Sequence, residues 1–321
     1  MMNTYDKNYA LAKDFVGGMN WLPEFDGLYS DSFVLEMPSA PPGMPQRMEG
    51  IEVYEYRSWM ARTVRTWEYI PELLVGTYDP NLLFAIGNIH ANVYWGNHEG
   101  VFDSRYIAKL CFESGKLRYL KQMMDPLAYL RAAGREVPVF RMDLYDKRVD
   151  AFMTSEAGEE SAGALDASPE ACRKRVEDNL AMHMSGDFQV SSKWAVWAPE
   201  SQNRVWFLPP EMGSDYPEEL LPRVGAWGQL SSVYAGDVAP FFDPNGKVYA
   251  TLDPSLYICE YSVYGSSDWI GNDCPGMYRN QYFHVFRLDE LGRIVLHEEY
   301  LNPINKFNSI NVSVPTFPYF L

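Results

Sequence analysis

The chain has 321 residues, of which 47% are hydrophobic, 15% aromatic and 22% charged, so it can fill more than one core. Its formal net charge of −16 argues against nucleic acids and anionic membranes as partners, because both are bound through basic side chains. Four widely spaced cysteines form no C-x-x-C pair and predict neither a disulfide framework nor a zinc site. The sequence has no signal-like segment and no run of 18 apolar residues, so we expect a soluble cytoplasmic protein.

In the first half, spacing predicts a helix over residues 4–19 and a second helix over about 50–66. Alternation over 102–112 then predicts a strand with one buried face. After a turn at Gly115, a second strand places Leu120, Gln122 and Met124 on one face. Pro126 ends that strand and opens a short helical turn that closes at Gly134.

The middle of the chain contains an acidic stretch rich in Gly, Ala and Ser, which predicts a flexible linker over 151–168. A helix is then expected from Ser168 as N-cap and Pro169 as first helical residue. A second helix is expected over about 217–232. Two strands follow: one carries Tyr278, Asn280, Tyr282, His284, Phe286 and Leu288 on one face, and the next carries His297, Glu299 and Leu301.

The two halves resemble each other at a nearly constant offset. YDPNLLFAIGN (78–88) matches LDPSLYICEYS (252–262), and SGKLRYLKQMMDP (114–126) matches LGRIVLHEEYLNP (291–303). REVPVF (135–140) likewise matches VSVPTF (312–317). Such co-linear matches are typical of duplication. They predict two domains, 1–150 and 169–321, separated by the linker.

The stretch 278–315 resembles the C-terminal half of the phenazine-biosynthesis PhzA/PhzB proteins, with an aromatic-x-His strand, a Gly-Arg turn, a Glu-aromatic-x-Asn-Pro strand end and a closing Val-Pro. The stretch WEYIPELLVGTYDP (67–80) is similar to the family's Trp-Glu-aromatic run and Asp-Pro turn. The resemblance implies an α+β fold of two tandem cone-shaped domains of the nuclear transport factor 2-like, or SnoaL-like, kind. Family members pair as homodimers, so we expect the fused chain to form an intramolecular pseudo-dimer, either as a monomer or as a further homodimer.

The same resemblance implies an activity without metal or organic cofactor. Family members promote condensation of two α-amino ketone molecules through imine formation. Glu299 stands where the family carries its catalytic Glu. We therefore expect a condensing or cyclising enzyme of secondary metabolite biosynthesis. Two alternatives stay open: a SnoaL-like isomerase, dehydratase or polyketide cyclase, and a non-catalytic small-molecule binder or scaffold.

The residues themselves support acid–base chemistry in the second copy. A carboxyl group on an apolar face is a suitable proton-transfer group, because desolvation favours its neutral form. Glu299 fits this description, and His284 lies on the inward face of the neighbouring strand. These two are the predicted catalytic residues. His297 shares the strand face but lies nearer the turn, and a structural role is the alternative for all three.

Other residues predict contact with a flat or cyclic substrate. The first copy has Ala108 and Gln122 where the second has His284 and Glu299, so it lacks the proton-transfer groups. The sequence does not assign the arginine that would hold a substrate carboxylate: Arg279 and Arg287 have outward strand parity, and a helix arginine such as Arg57 is an equal candidate. His90, His98 and Asp103 have no metal-binding spacing, and phosphate-loop, hydrolase and dinucleotide motifs are absent from the sequence. The predicted substrate-binding residues are Tyr56, Tyr106, Gln122, Tyr257, Trp269, Tyr278, Asn280 and Tyr282.

Overall fold

The structure is a computed structural model. It describes residues 3–19, 21–138, 166, 168–174, 177, 197–207, 241–242, 246–267, 276–290, 292–309 and 312–319. The chain divides into two compact units: Met1–Val137 with Val314–Leu321, and Pro138–Ser313. The predicted linker falls almost entirely outside the described residues, and the predicted domain boundaries stay a prediction.

The first unit is α+β. Its helices are α1 (Thr4–Gly17), a 3-10 helix (Pro23–Leu28), α2 (Ile51–Thr63) and α3 (Pro126–Ala132). Its strands are β1 (Tyr29–Glu36), β2 (Arg47–Glu49), β3 (Val64–Gly76), β4 (Leu82–Trp95), β5 (His98–Glu113) and β6 (Lys116–Met124). They form one sheet in the order β2-β1-β6-β5-β4-β3, in which only the β1–β6 pair is parallel. The predicted helices and the strand pair β5–β6 are confirmed.

Local sequence explains where α1 begins and which face it buries. The Asn3 side chain accepts a hydrogen bond from the Asp6 backbone N–H at 2.8 Å and so caps the helix. Ala12, Phe15 and Val16 are buried at helical spacing. Residues at these spacings share one side of a helix, so α1 packs this side into the unit.

The second unit has the same core of strands. It contains β7 (Trp197–Trp206), β8 (Phe241–Phe242), β9 (Lys247–Ala250), β10 (Leu256–Ser267), β11 (Gly276–Leu288), β12 (Ile294–Tyr300) and helix α4 (Pro303–Ser309). The sheet order is β7-β12-β11-β10-β8, with β9 also paired to β10 and with β7 parallel to β12. A helical segment begins after Ser168, whose Oγ accepts from the Ala171 N–H at 3.3 Å. The helix predicted over 217–232 lies outside the described residues.

The matching sequence motifs form matching turns. The Thr77 hydroxyl donates to the Asp79 carbonyl at 3.2 Å, and the Asn81 N–H donates to Asp79 Oδ1 at 2.9 Å. In the second unit the Thr251 hydroxyl donates to the Asp253 carbonyl at 2.9 Å, and the Ser255 backbone N–H donates to Asp253 Oδ1, also at 2.9 Å. The Asp-Pro motif therefore leads into a long central strand in the same way in both units.

The end of the chain belongs to the first unit. Phe317 is 1% exposed, and its ring meets those of Trp59, Trp95 and Tyr129 edge-on at centroid distances of 5.9, 5.3 and 5.6 Å. Its backbone N–H donates to the Pro42 carbonyl at 2.6 Å. Residues from the far end of the sequence thus complete the first unit's aromatic core.

Gly100 provides a test of packing between β5 and α3. A Cβ at this position would overlap the backbone carbonyl of Ala132. Gly100→Ala is therefore expected to lower the free energy of unfolding by about 1–3 kcal/mol, because backbone atoms would have to move apart. Denaturant titration of this variant beside Gly17→Ala is the measurement. An added Cβ at Gly17 meets nothing within 4 Å, so equal stability losses in both variants would contradict the prediction.

Within the part of the chain that the structure describes, no helix has both the length and the apolar character needed to cross a bilayer.

Candidate active site

The strongest cluster of reactive groups lies on one face of the second sheet. Cross-strand pairing places Tyr261 opposite Tyr282, and His284 opposite Glu299. His297 pairs with Phe286, two residues further along β11 than His284. Because alternate residues of a strand share a face, all these side chains lie on the same side of the sheet.

Three of these side chains form a hydrogen-bonded chain. The Tyr261 hydroxyl lies 2.7 Å from His284 Nε2, and His284 Nδ1 lies 2.6 Å from His297 Nε2. Since a hydrogen bond between two imidazoles needs one N–H and one lone pair, the two histidines hold one proton between them at this contact. A proton can therefore be passed along the chain by tautomer exchange.

The histidines and the carboxyl group of this cluster differ in solvent exposure. His284 is 1% exposed and His297 is fully buried, whereas Glu299 is half-buried. Ring stacking also holds the side chains of this cluster. The His297 ring stacks on Phe286 at a centroid distance of 4.6 Å, and the Tyr261 ring stacks on Tyr282 at 5.2 Å. Glu299 is thus the most solvent-accessible residue of the cluster.

The cluster also has the donor types of a metal site. One ligand atom from each of His284, His297 and Glu299 lies within 4.8 Å of the other two. Two imidazoles and one carboxylate are a donor set found in catalytic zinc centres.

The predicted substrate-binding residues of this unit have different positions. Tyr282 lies beside His284, with ring centroids 5.8 Å apart. Tyr257 is on the same face, and its hydroxyl donates to the Pro169 carbonyl at 3.0 Å. The Asn280 side chain is buried and donates to the Asn302 carbonyl at 3.0 Å, so it fastens the end of β12. Tyr278 is paired with Gly265 in the β10–β11 ladder, and Trp269 lies outside the described residues.

Sequence reasoning did not select Tyr261 and left His297 as a secondary candidate. Tyr261 has the same strand parity as Tyr257, which was a candidate, so the alternation along β10 could have indicated it. The contact between His284 and His297 joins residues that are diagonal across two strands, which alternation alone does not reveal.

The first unit contains a cavity lined mainly by aromatic and aliphatic side chains. Three predicted residues, Tyr56, Tyr106 and Gln122, meet in its wall. The Tyr106 hydroxyl donates to Gln122 Oε1 at 3.5 Å. Burial raises the pKa of Tyr56 and of Tyr106 well above the usual value, so both phenols remain protonated at neutral pH. These three side chains thus present neutral hydrogen-bonding groups to the cavity.

Three other polar groups of this cavity stand out because they are buried donors that have no hydrogen-bond partner among the described residues. They are Arg57 Nε, Trp67 Nε1 and the Tyr69 hydroxyl. The Arg57 head group is held by the Asp26 carboxylate at 2.7 Å and lies over the Tyr29 ring at 4.6 Å. Leaving buried donors unpaired is costly, so these three suit a ligand that carries acceptor atoms such as a carboxylate or carbonyl.

Comparison of equivalent ladder positions shows how the two units differ chemically. The pair Ala108–Gln122 occupies the place of His284–Glu299. By the offsets of the sequence matches, Leu120 corresponds to His297 and Gly87 to Tyr261. None of the four first-unit residues can transfer a proton at neutral pH.

The family comparison bears on this first unit. Residues 38–145 match the family model described as phenazine biosynthesis protein A/B. The resemblance to that family is confirmed for this segment. The match includes α2, β3 to β6 and α3, and with them Tyr56, Tyr106 and Gln122 in the cavity wall. No curated protein matches the chain.

Three solved structures to which this chain is similar each align with less than half of it. A phenazine biosynthesis-related protein from Pseudomonas aeruginosa is 19% identical, with a TM-score of 0.39, over 43% of this chain and 92% of that one. A nuclear transport factor 2-like protein from Burkholderia xenovorans is 17% identical, with a TM-score of 0.33, over 40% and 95%. A protein assigned as a SnoaL-like polyketide cyclase from Jannaschia sp. CCS1 is 12% identical, with a TM-score of 0.35, over 42% and 97%.

Proposed function

We propose that this protein is an enzyme of secondary metabolite biosynthesis, of the isomerase or cyclase type, and that it works by proton transfer on a flat or cyclic substrate. One observation carries the proposal: the second unit gathers Tyr261, His284 and His297 in a hydrogen-bonded chain beside Glu299. The family match in the first unit supports the same class of reaction.

The finer proposal is a condensation or cyclisation through imine formation. Addition of an amine to a ketone gives a carbinolamine, and loss of its hydroxyl as water needs a proton on oxygen and removal of a proton from nitrogen. Glu299 would deliver and collect these protons as the half-buried group. His284, which lies opposite it on the neighbouring strand, would exchange protons with it, and Tyr261 and His297 would fix the tautomer of His284.

The test is product formation from α-amino ketone carboxylates and from cyclisable polyketide-like ketones, followed by mass spectrometry. Wild-type protein is expected to accelerate one of these reactions, and the variant Glu299→Gln is expected not to. If the protein accelerates none of these reactions but retains a ligand, the enzyme hypothesis is wrong and the protein is a non-catalytic binder.

The hypothesis of a non-catalytic binder is supported separately by the first unit. There the cavity has three buried donors that lack a hydrogen-bond partner among the described residues, and its lining includes no histidine and no carboxyl group. We propose that this unit holds a ligand with acceptor atoms and does no chemistry on it. The chain would then be a fused pair in which one copy binds and the other reacts.

Tyr69→Phe tests the binding role of the first unit. Removing an unpartnered buried hydroxyl is expected to leave the ligand-free protein as stable as wild type, or more stable by about 1 kcal/mol. The same change is expected to weaken the binding of an aromatic carboxylate by roughly 2-fold to 10-fold, since one hydrogen bond is lost. Thermal unfolding and calorimetric titration measure the two effects. A control, Tyr54→Phe, alters an exposed tyrosine and is expected to change neither.

The fusion proposal has a hydrodynamic test. If the two copies take the place of the family's homodimer, the chain of 36.8 kDa is expected to run as a monomer in sedimentation or light scattering. A concentration-independent doubling of the mass would show that fusion did not replace association.

A further inference from the structure

We infer that the second unit binds one divalent transition-metal ion, with zinc as the best fit, through His284, His297 and Glu299. This departs from the expectation that the protein works without a metal. It is independent of the proposed reaction, because it concerns only the affinity of these side chains for an ion.

The donor geometry is the first support. The three ligand atoms lie within 4.8 Å of one another on two neighbouring strands. Zinc bonds of about 2.0–2.2 Å place neighbouring ligand atoms roughly 3–3.5 Å apart, so small side-chain rotations suffice to admit the ion. His284 Nδ1 and His297 Nε2, now 2.6 Å apart, would separate by less than about 1 Å.

The surroundings of the histidines are the second support. A histidine that binds a metal through one ring nitrogen usually has the other nitrogen hydrogen-bonded, which fixes its orientation. His284 Nε2 is 2.7 Å from the Tyr261 hydroxyl, which leaves Nδ1 to face His297. His297 is in turn stacked on Phe286 with an angle of 12° between the rings. Both rings are therefore held before any ion arrives.

The difference in exposure is the third support. The two histidines are buried, and Glu299 is half-buried. An ion held by these three would keep a coordination position directed toward the accessible side of Glu299, as catalytic metal sites require.

The first unit provides an internal comparison. The positions equivalent to the three ligands are occupied there by Ala108, Leu120 and Gln122. A single histidine on an apolar strand face is commonly structural. Here all three ligand positions differ together between two otherwise matching ladders, and Tyr261, which orients His284, corresponds to Gly87. This concerted difference favours a shared task such as holding an ion.

The test uses the full chain, stripped with a chelator and dialysed, and titrated with Zn²⁺ and Co²⁺ alone. Zn²⁺ is expected to bind with one equivalent per chain in competition with a chromophoric chelator, and Co²⁺ to give the visible spectrum of a low-coordinate site. His297→Leu, which copies Leu120, is expected to weaken binding by more than about 100-fold. Tyr261→Phe, which removes only the orienting hydroxyl, is expected to weaken it by about 10-fold.

His90→Gln is the matched control, because His90 is a half-exposed histidine paired with Asp103 in the first unit. It is expected to leave Zn²⁺ affinity unchanged. Equal binding by wild type and His297→Leu, each shown to be folded by circular dichroism, would overturn the metal site. If wild type binds no ion but still loses product formation in Glu299→Gln, the metal inference fails and the proposed function stands. If wild type binds Zn²⁺ tightly but forms no product, the metal site stands and the proposed enzymatic function fails.

Discussion

Glu299→Gln is expected to abolish product formation while leaving ligand binding intact. The change keeps the shape and hydrogen-bonding capacity of the side chain and removes its ability to gain or lose a proton at neutral pH. General acid–base groups contribute about 100-fold to 10,000-fold to rate, so a loss of this size is expected in single-turnover assays. The substitution also copies the residue that the first unit carries at the equivalent position, Gln122.

The matched control is Gln122→Glu, which places a carboxyl group in the first unit's cavity. It is not expected to raise the rate, because Ala108 and Leu120 there provide no partner for proton exchange. Full activity of Glu299→Gln would remove Glu299 from the mechanism. A rate increase in Gln122→Glu would instead show that the first unit needs only a carboxyl group to become active.

Phe317→Ala is expected to destabilise the first unit by about 3–5 kcal/mol. Phe317 lies among Trp59, Trp95 and Tyr129 and is 1% exposed, so its removal leaves a cavity in an aromatic core that cannot easily close. Two of the nine tryptophans of the chain contact Phe317, so tryptophan fluorescence during denaturant unfolding includes a signal from this site.

Thr316→Ala is the control, because it alters an exposed residue in the same segment without touching the aromatic core. It is expected to shift the unfolding midpoint little. Deletion of residues 314–321 is expected to destabilise the first unit at least as much as Phe317→Ala. If the deletion leaves the fluorescence transition of the first unit unchanged, the segment does not complete that core.

Much of the fold follows from local patterns in the sequence. The Asp-Pro turns at Asp79 and Asp253, the alternation along β5 and β11, and the helix α1 all depend on neighbouring residues. Turn hydrogen bonds, strand alternation and helix capping act over a few residues, so a sequence displays them directly. The placement of Glu299 and His284, and of Gln122 and Ala108, on one face of neighbouring strands also followed from alternation plus a short turn.

Other features were decided by tertiary structure. The hydrogen bond between Tyr261 and His284 depends on the register of β10 against β11. The three cavity donors that lack a partner among the described residues depend on helix α2 and strand β3 meeting at one cavity. Phe317 belongs to the first unit although it lies at the opposite end of the sequence from the rest of that unit. The sequence by itself determined the strands, the turns and the residues in which the two matching halves differ, because these depend on local spacing. Only the tertiary structure decided which distant side chains meet, because burial of apolar surface selects partners without regard to their separation along the chain.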